Sequence, residues 1–235
     1  MVTFSQLINS VRLRTDIVNS LFVTDIEIGE YLNSSLAELY GIIVNTFNDY
    51  YVKTIQFTLT SADDGYLLPS DFFKEIRIDK SYSGNPSATQ PDYIKLNRIN
   101  IADENNFNYM TLRNIYSPPT FGYIMYNDKI KIIPKSNIAG SYQLLYVPAY
   151  VDYTSNDTVC MGPPGQKWHE YALVDTCIKV MSKEESDPSM FIAQKAELKQ
   201  RIQTEAANRI ANDALPPTTT TLKWYDRNSG WGGGW

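Results

Sequence analysis

Few residues in this sequence could do chemistry. There is one histidine, His169, and there are two cysteines, Cys160 and Cys177. A single histidine excludes a histidine-rich metal site and leaves a serine–histidine–aspartate arrangement only one possible base. The two thiols and that imidazole have no zinc-ligand spacing, and neither cysteine stands in a CxxC pair. His169 follows Trp168 at the start of a helical pattern and reads as a surface or cap residue. The GPPGQK stretch at 162–167 has glycines and a lysine but lacks the strand–GxxxxGK[ST]–helix pattern of a phosphate loop, so it reads as the approach to a helix. Asp63-Asp64-Gly65 is turn chemistry with no EF-hand ligand sequence after it. The acidic run at 183–187 is a solvated helix end, favourable ahead of the next helix N-terminus. Asp175 lies near an apolar helical stripe, where a structural ion pair explains it better than acid–base work. No catalytic constellation forms, and no cofactor or metal is expected.

The elements that would position any site are legible as two helices, a β-rich middle and two more helices. Thr3 and Gln6 have capping-box spacing, and Phe4, Leu7, Ile8 and Val11 give a short amphipathic helix ending near Arg14. A long helix follows a second box, Thr24 and Glu27, with Val23 and Ile28 placed as a hydrophobic staple. Its apolar face runs through Ile28, Tyr31, Leu32, Leu36, Leu39, Tyr40, Ile43, Val44 and Phe47. Two helices with a short join fold back on each other. From Tyr50 the period changes to two, through Val52, Ile55, Phe57 and Leu59, apart from one slip at Lys53-Thr54. The stretch 67–73 reads as an extended piece and then one helical turn capped by Ser70 or Asp71, followed by a strand in EIRIDKSY. Residues 83–92 have loop composition, and IADENNF at 101–107 predicts a short helix with extended flanks. Asn127-Asp128 separates two alternating runs as a two-residue hairpin. With YQLLYVPAY after the Ala139-Gly140 turn, these runs predict a three-stranded antiparallel meander.

Helical period returns with one stripe through Trp168, Tyr171, Val174, Ile178 and Met181, flanked by Ala172 and Cys177. Asp187-Pro188 restarts a helix, with an N-cap and a proline where no N–H is needed. Its apolar stripe (Phe191, Leu198, Ile202, Ala206, Ile210) is narrow, which leaves much of that helix to solvent or a partner. The expected fold class is α+β: a helical bundle from 1–49 and 163–214, a β-rich insertion at 50–162, and an extended C-terminal arm at 215–235. The arm is unusual in composition. Three of the four tryptophans, Trp224, Trp231 and Trp235, fall in the last twelve residues, and leaving such rings in water forgoes about 2 kcal/mol each. A free tail normally lacks aromatics; the two readings are a tail that wraps back over its own domain and an arm that reaches a neighbouring subunit or another protein, and the arm is preferred.

Apolar residues make up 43 % and charged ones 20 %, as in globular proteins, and the net charge of −5 provides no basic field for nucleic acid or an anionic membrane. Seventeen tyrosines suit half-buried strands and interfaces. The thiol usage fits a reducing cytoplasm, no apolar run has the length of a membrane span, and the N-terminus lacks a signal-peptide core. The chain is expected to be soluble and intracellular at synthesis.

Five segments in order, TFSQLINSVRLRTD, VTDIEIGEYLNSSLAELYGIIV, YLLPSDFFKEIRID, KIKIIP with GSYQLLYVPAY, and the run from Trp168 to Ile202, resemble the head-to-tail adaptor proteins of tailed bacteriophages. The resemblance covers residues 3–212. It implies a structural, non-enzymatic virion protein of the neck, made in the host cytoplasm. Such a protein forms a homo-oligomeric ring, usually dodecameric, beneath the portal protein. The ring extends the DNA channel, through which DNA passes without specific binding, and it touches no membrane. It offers a platform to tail nozzle, tail tube or tail fibre proteins. The helical pairs would build the ring body, and the arm, through Leu222, Trp224, Tyr225, Trp231 and Trp235, would grip the portal. Rival readings are a glycan- or receptor-binding β-module of a tail, and a tail-completion or stopper protein. A hydrolase or nuclease would need the constellation the sequence lacks.

Overall fold

The structure, a computed structural model, describes residues 2–17, 22–46, 48–81, 93–105, 122–135, 138–154, 157–159 and 168–211. The fold is α+β. Four helices are seen among the described residues: α1 (Phe4–Arg14), α2 (Asp25–Thr46), α3 (His169–Lys183) and α4 (Ser189–Ala211). Both capping boxes form. Thr3 Oγ1 accepts from Gln6 N while Gln6 Oε1 accepts from Thr3 N at 2.9 Å. The Thr24 and Glu27 pair repeats this at the head of α2, at 3.3 and 3.1 Å. Each box satisfies backbone donors that the first helical turn cannot. Asp187 caps α4, its Oδ1 accepting from Ser189 N at 3.0 Å.

Helices and strands feed two apolar cores. In the first, Ile28, Leu32, Leu36, Leu39, Ile43 and Val44 of α2 have no exposed surface, and they meet Phe4, Leu7 and Val11 of α1, Tyr171, Val174 and Val180 of α3, and Phe191 and Ile202 of α4. Burying a large aliphatic side chain contributes roughly 1.5–3 kcal/mol, so the α2 face is a major contributor to the core of this half. The single stripe expected on α3 is too narrow a description. From Trp168 to Cys177 every residue but Glu170 is buried, because the helix is packed by α1, α2 and α4 at once. Helix α4 shows the narrow stripe expected: Phe191 and Ile202 are buried while Met190 and Ile192 face out.

The second core lies between two four-stranded sheets. One has the order β2 (Lys53–Leu59), β9 (Gly140–Pro148), β4 (Phe72–Ser81), β5 (Tyr93–Lys95); the other has β3 (Tyr66–Leu67), β8 (Lys129–Ile133), β7 (Gly122–Tyr126), β6 (Asn97–Arg98). Alternate residues point inward: Phe57 and Leu59, Ile130 and Ile132, Tyr142, Leu144 and Tyr146. The Asn127-Asp128 hairpin is present, Asn127 taking a positive φ of 54° between paired Tyr126 and Lys129. The meander is not. β9 leaves the β7–β8 hairpin and runs between β2 and β4 in the opposite sheet. Alternation in β9 fits either partner, and the Ile138–Gly140 corner, with Gly140 at φ 149°, takes the chain across the core.

Two local expectations shift as well. The helical turn at 70–73 is a tight turn, with Phe72 N donating to Pro69 O, that feeds straight into β4; Asp71 spends its carboxylate on Lys53 and Tyr146 instead of on a cap. The turn at Asp63-Asp64-Gly65 begins earlier, with Asp63 Oδ2 accepting from Thr60 N and Oγ1. A short 3₁₀ turn does form at Ile101–Asp103, with extended flanks before it. A feature with no local signal is the two-residue ladder of β1 (Val2–Thr3) with β10 (Thr158–Val159), which ties the head of α1 to the segment ahead of α3.

Candidate functional site

Where the helices cross, the titratable side chains form a structural knot. Asp175 of α3 is 3 % exposed. Its carboxylate accepts from Ser35 Oγ of α2 at 2.6 Å, Lys195 Nζ of α4 at 2.7 Å and Lys179 Nζ one turn on at 2.9 Å. Lys195 reaches on to Glu38 at 3.1 Å, and Tyr171 Oη donates to the same Glu38 at 2.7 Å. Burial opposes the charge on Asp175, but hydrogen bonds from Lys195, Ser35 and Lys179 outweigh it and hold the carboxyl below the usual carboxylate range. Lys195 is likewise desolvated, and its bonds to Asp175 and Glu38 raise it above the usual lysine range. A charge matched this fully holds three helices in register.

The other candidate nucleophiles and bases are no better placed. Burial pushes the Cys177 thiol up to about 11, the reverse of an activated thiolate. His169 is not a surface residue: it is 4 % exposed, beside Val159, and burial holds its imidazole below the usual histidine range, opposed in part by that backbone. The residue sits under β10, a burial that its neighbours in sequence do not announce. No group of three or more histidine, cysteine or acidic side chains among the described residues is placed to hold a metal ion, and no helix among them is long and apolar enough to cross a membrane.

The outer surface carries more information. Leu13, Phe22 and Ile26 are 71, 63 and 76 % exposed, clustered where α1 ends and α2 begins. Two ion pairs fix the corner: Arg12 Nε to Asp25 at 2.6 Å, and Lys183 Nζ of α3 to Glu27 at 2.5 Å, with the lysine also over the Phe22 ring. Three large apolar side chains are thus exposed beside these ion pairs, an apolar surface of the kind that proteins bury against a partner. On the other half, Leu67, Phe73, Ile94 and Tyr126 are also more than half exposed. A second polar clamp joins the two sheets, Tyr123 Oη donating to Glu75 while Arg98 lies 3.7 Å from the same carboxylate. The arm residues Leu222, Trp224, Tyr225, Trp231 and Trp235 lie outside the described residues, as do Cys160 and the loop expected at 83–92.

Residues 2–222 match the family model described as SU10 adaptor protein. The match covers both cores and extends to Leu222, short of Trp224. Among curated proteins, none matches the chain.

Proposed function

The chain belongs to that family, whose members are structural adaptor proteins of phages, and from this premise we propose that it is a head-to-tail adaptor of the virion neck. In this reading, copies stand side by side in a dodecameric ring docked under the portal. The ring prolongs the DNA channel and presents a platform to tail nozzle, tail tube or tail fibre proteins. The observation that carries the reading is a family match spanning the helical half and the β half together. Residues 3–49 and 166–212 serve as the subunit body, and the exposed Leu13, Phe22 and Ile26 corner supplies a lateral contact. The β-rich part at 50–150 faces tail proteins or the adjoining subunit. The arm at 215–235 anchors on the portal through Leu222, Trp224, Tyr225, Trp231 and Trp235. A net charge of −5 suits a channel past which DNA slides without specific binding.

The arm is tested by deleting residues 216–235 and mixing the shortened chain with portal protein. Loss of portal-bound rings with an unchanged circular dichroism spectrum is expected; unimpaired assembly removes the arm from the mechanism. Purified particles probed with an antibody to the chain test the wider reading. The protein should be present in them, and its absence would overturn the assignment.

A further inference from the structure

The end of α2, the 3₁₀ turn at Asn48–Tyr51 and the chain leaving β9 enclose an open cleft of about 450 Å³ at the seam of the two halves. Its wall is aromatic. Tyr40 lies 4.7 Å from Tyr51 and 5.9 Å from Tyr150, centroid to centroid, and Tyr150 lies 6.1 Å from Tyr153. The rings are pinned from behind: Tyr40 Oη donates to Pro148 O at 2.5 Å and Tyr150 Oη to Asn33 Oδ1 at 3.2 Å. Tyr40 is itself buried, so the surface the cleft offers is that of the half-buried Tyr51, Tyr150 and Tyr153, and rings already held in place cost little entropy when something stacks on them.

The rim is acidic. Asp71, Asp152 and Asp157 line the cleft with Lys53 as the only lysine or arginine among the lining residues, and Lys53 is already bonded to Asp71 at 2.8 Å. Asp157 is held in place by Thr154, whose N and Oγ1 donate to it at 2.6 and 2.7 Å. Asp152 is exposed, next to Val151, which is 73 % exposed at the lip.

We propose that this cleft is a docking site for an extended basic segment of a neighbouring protein in the assembly. An arginine of that segment lies over the tyrosine faces, with its charge answered by Asp152 and Asp157. The tyrosine quadrupole favours a cation over the ring, and the flat guanidinium stacks as well as pairs. A negative rim repels phosphate or nucleic acid. A neutral glycan would use the rings but gain nothing from an excess of carboxylates. The inference rests on the adaptor reading only for which proteins would supply the segment.

The test uses the full chain and a labelled pentapeptide of alternating glycine and arginine, followed by fluorescence anisotropy. Its controls are the glutamate counterpart and maltohexaose. Saturable binding of the arginine peptide is expected, with no competition from either control. Asp152→Lys changes the facing charge by two units and should weaken binding about tenfold in moderate salt. Asp103→Lys makes the same net change at an exposed position outside the cleft lining and should alter binding by less than about twofold. Lys53→Gln removes the competing cation and should tighten binding. Equal losses from the two charge reversals, absence of saturable binding, or competition by maltohexaose would overturn the proposal. Because the isolated chain suffices, failure here leaves ring formation and portal attachment untouched.

Discussion

Replacing Asp175 with alanine removes a carboxylate that three donors share, from Ser35 at 2.6 Å, Lys195 at 2.7 Å and Lys179 at 2.9 Å. Breaking one side of a buried ion pair commonly costs about 3–5 kcal/mol, because the opposite charge stays behind uncompensated. Here the loss is smaller. The Lys179 and Lys195 side chains keep 29 and 26 % of their exposure and can turn their heads to water. Lys195 also retains Glu38. Asp175→Ala should therefore cost about 2–3 kcal/mol, and lower the midpoint of thermal unfolding by about 4–12 °C for a chain of this length. Asp175→Asn keeps the shape and an acceptor for Ser35, and should cost about 1–2 kcal/mol. Urea unfolding followed by circular dichroism measures both, with an unchanged slope showing that the two-state comparison holds. The pH dependence adds an independent reading. A carboxyl held low in the folded state contributes its full stability above the unfolded value of about 3.9, and loses it as pH falls through the folded value. The gap between wild type and Asp175→Ala should thus be flat from neutral pH down to about pH 5 and close below about pH 4. A cost under about 0.5 kcal/mol, or a gap that persists in acid, would refute the knot as the tie between the helices.

Three further outcomes follow from the same physics. Leu36→Ala, at a side chain with no exposed surface, should cost about 2–5 kcal/mol in the same urea assay. Gly65→Ala places a Cβ 2.6 Å from the Ile130 carbonyl at a φ of 149°, and should destabilise by about 1–3 kcal/mol, with proton exchange rising first in β3 and β8. His169 is the sole histidine and is buried with its imidazole held low, so the neutral form is the stable one in the fold. Its contribution is complete above the unfolded value of about 6.5 and declines as pH falls below it, by up to about 1.4 kcal/mol per pH unit. The difference in stability between wild type and His169→Gln, followed from pH 7.5 to 5, should show that slope.

Local signals in the sequence carried the helix starts. Thr3 with Gln6, Thr24 with Glu27, and Asp187 ahead of Pro188 are satisfied within a single turn, so nothing distant can override them. The Asn127-Asp128 hairpin is equally self-contained. What escaped depends on partners far along the chain. The ion pair expected of Asp175 forms, but the full burial of α3 is not visible locally, because it depends on Ser35 of α2, 140 residues away, which bonds both Asp175 and Thr176. β9 was assigned to its nearest hairpin because Tyr142, Leu144 and Tyr146 alternate correctly for either sheet. His169 sat at a helix start, where exposure is usual, and only the pairing of Val2 with Val159 shows the lid over that end of the helix. The exposed apolar corner and the tyrosine cleft, proposed here as contact surfaces, are the least legible part. Leu13, Phe22 and Ile26 are scattered in sequence, and the tyrosine cleft draws Tyr40 from α2 and Tyr150 from beyond β9.

The central claim, that this chain is an adaptor that assembles on a portal, is tested most directly by the mass of the purified chain mixed with the portal protein of its own phage. The account predicts one defined complex holding a full ring of adaptor copies that share the portal's symmetry. A mixture in which the chain keeps its own mass and the portal keeps its own would contradict it.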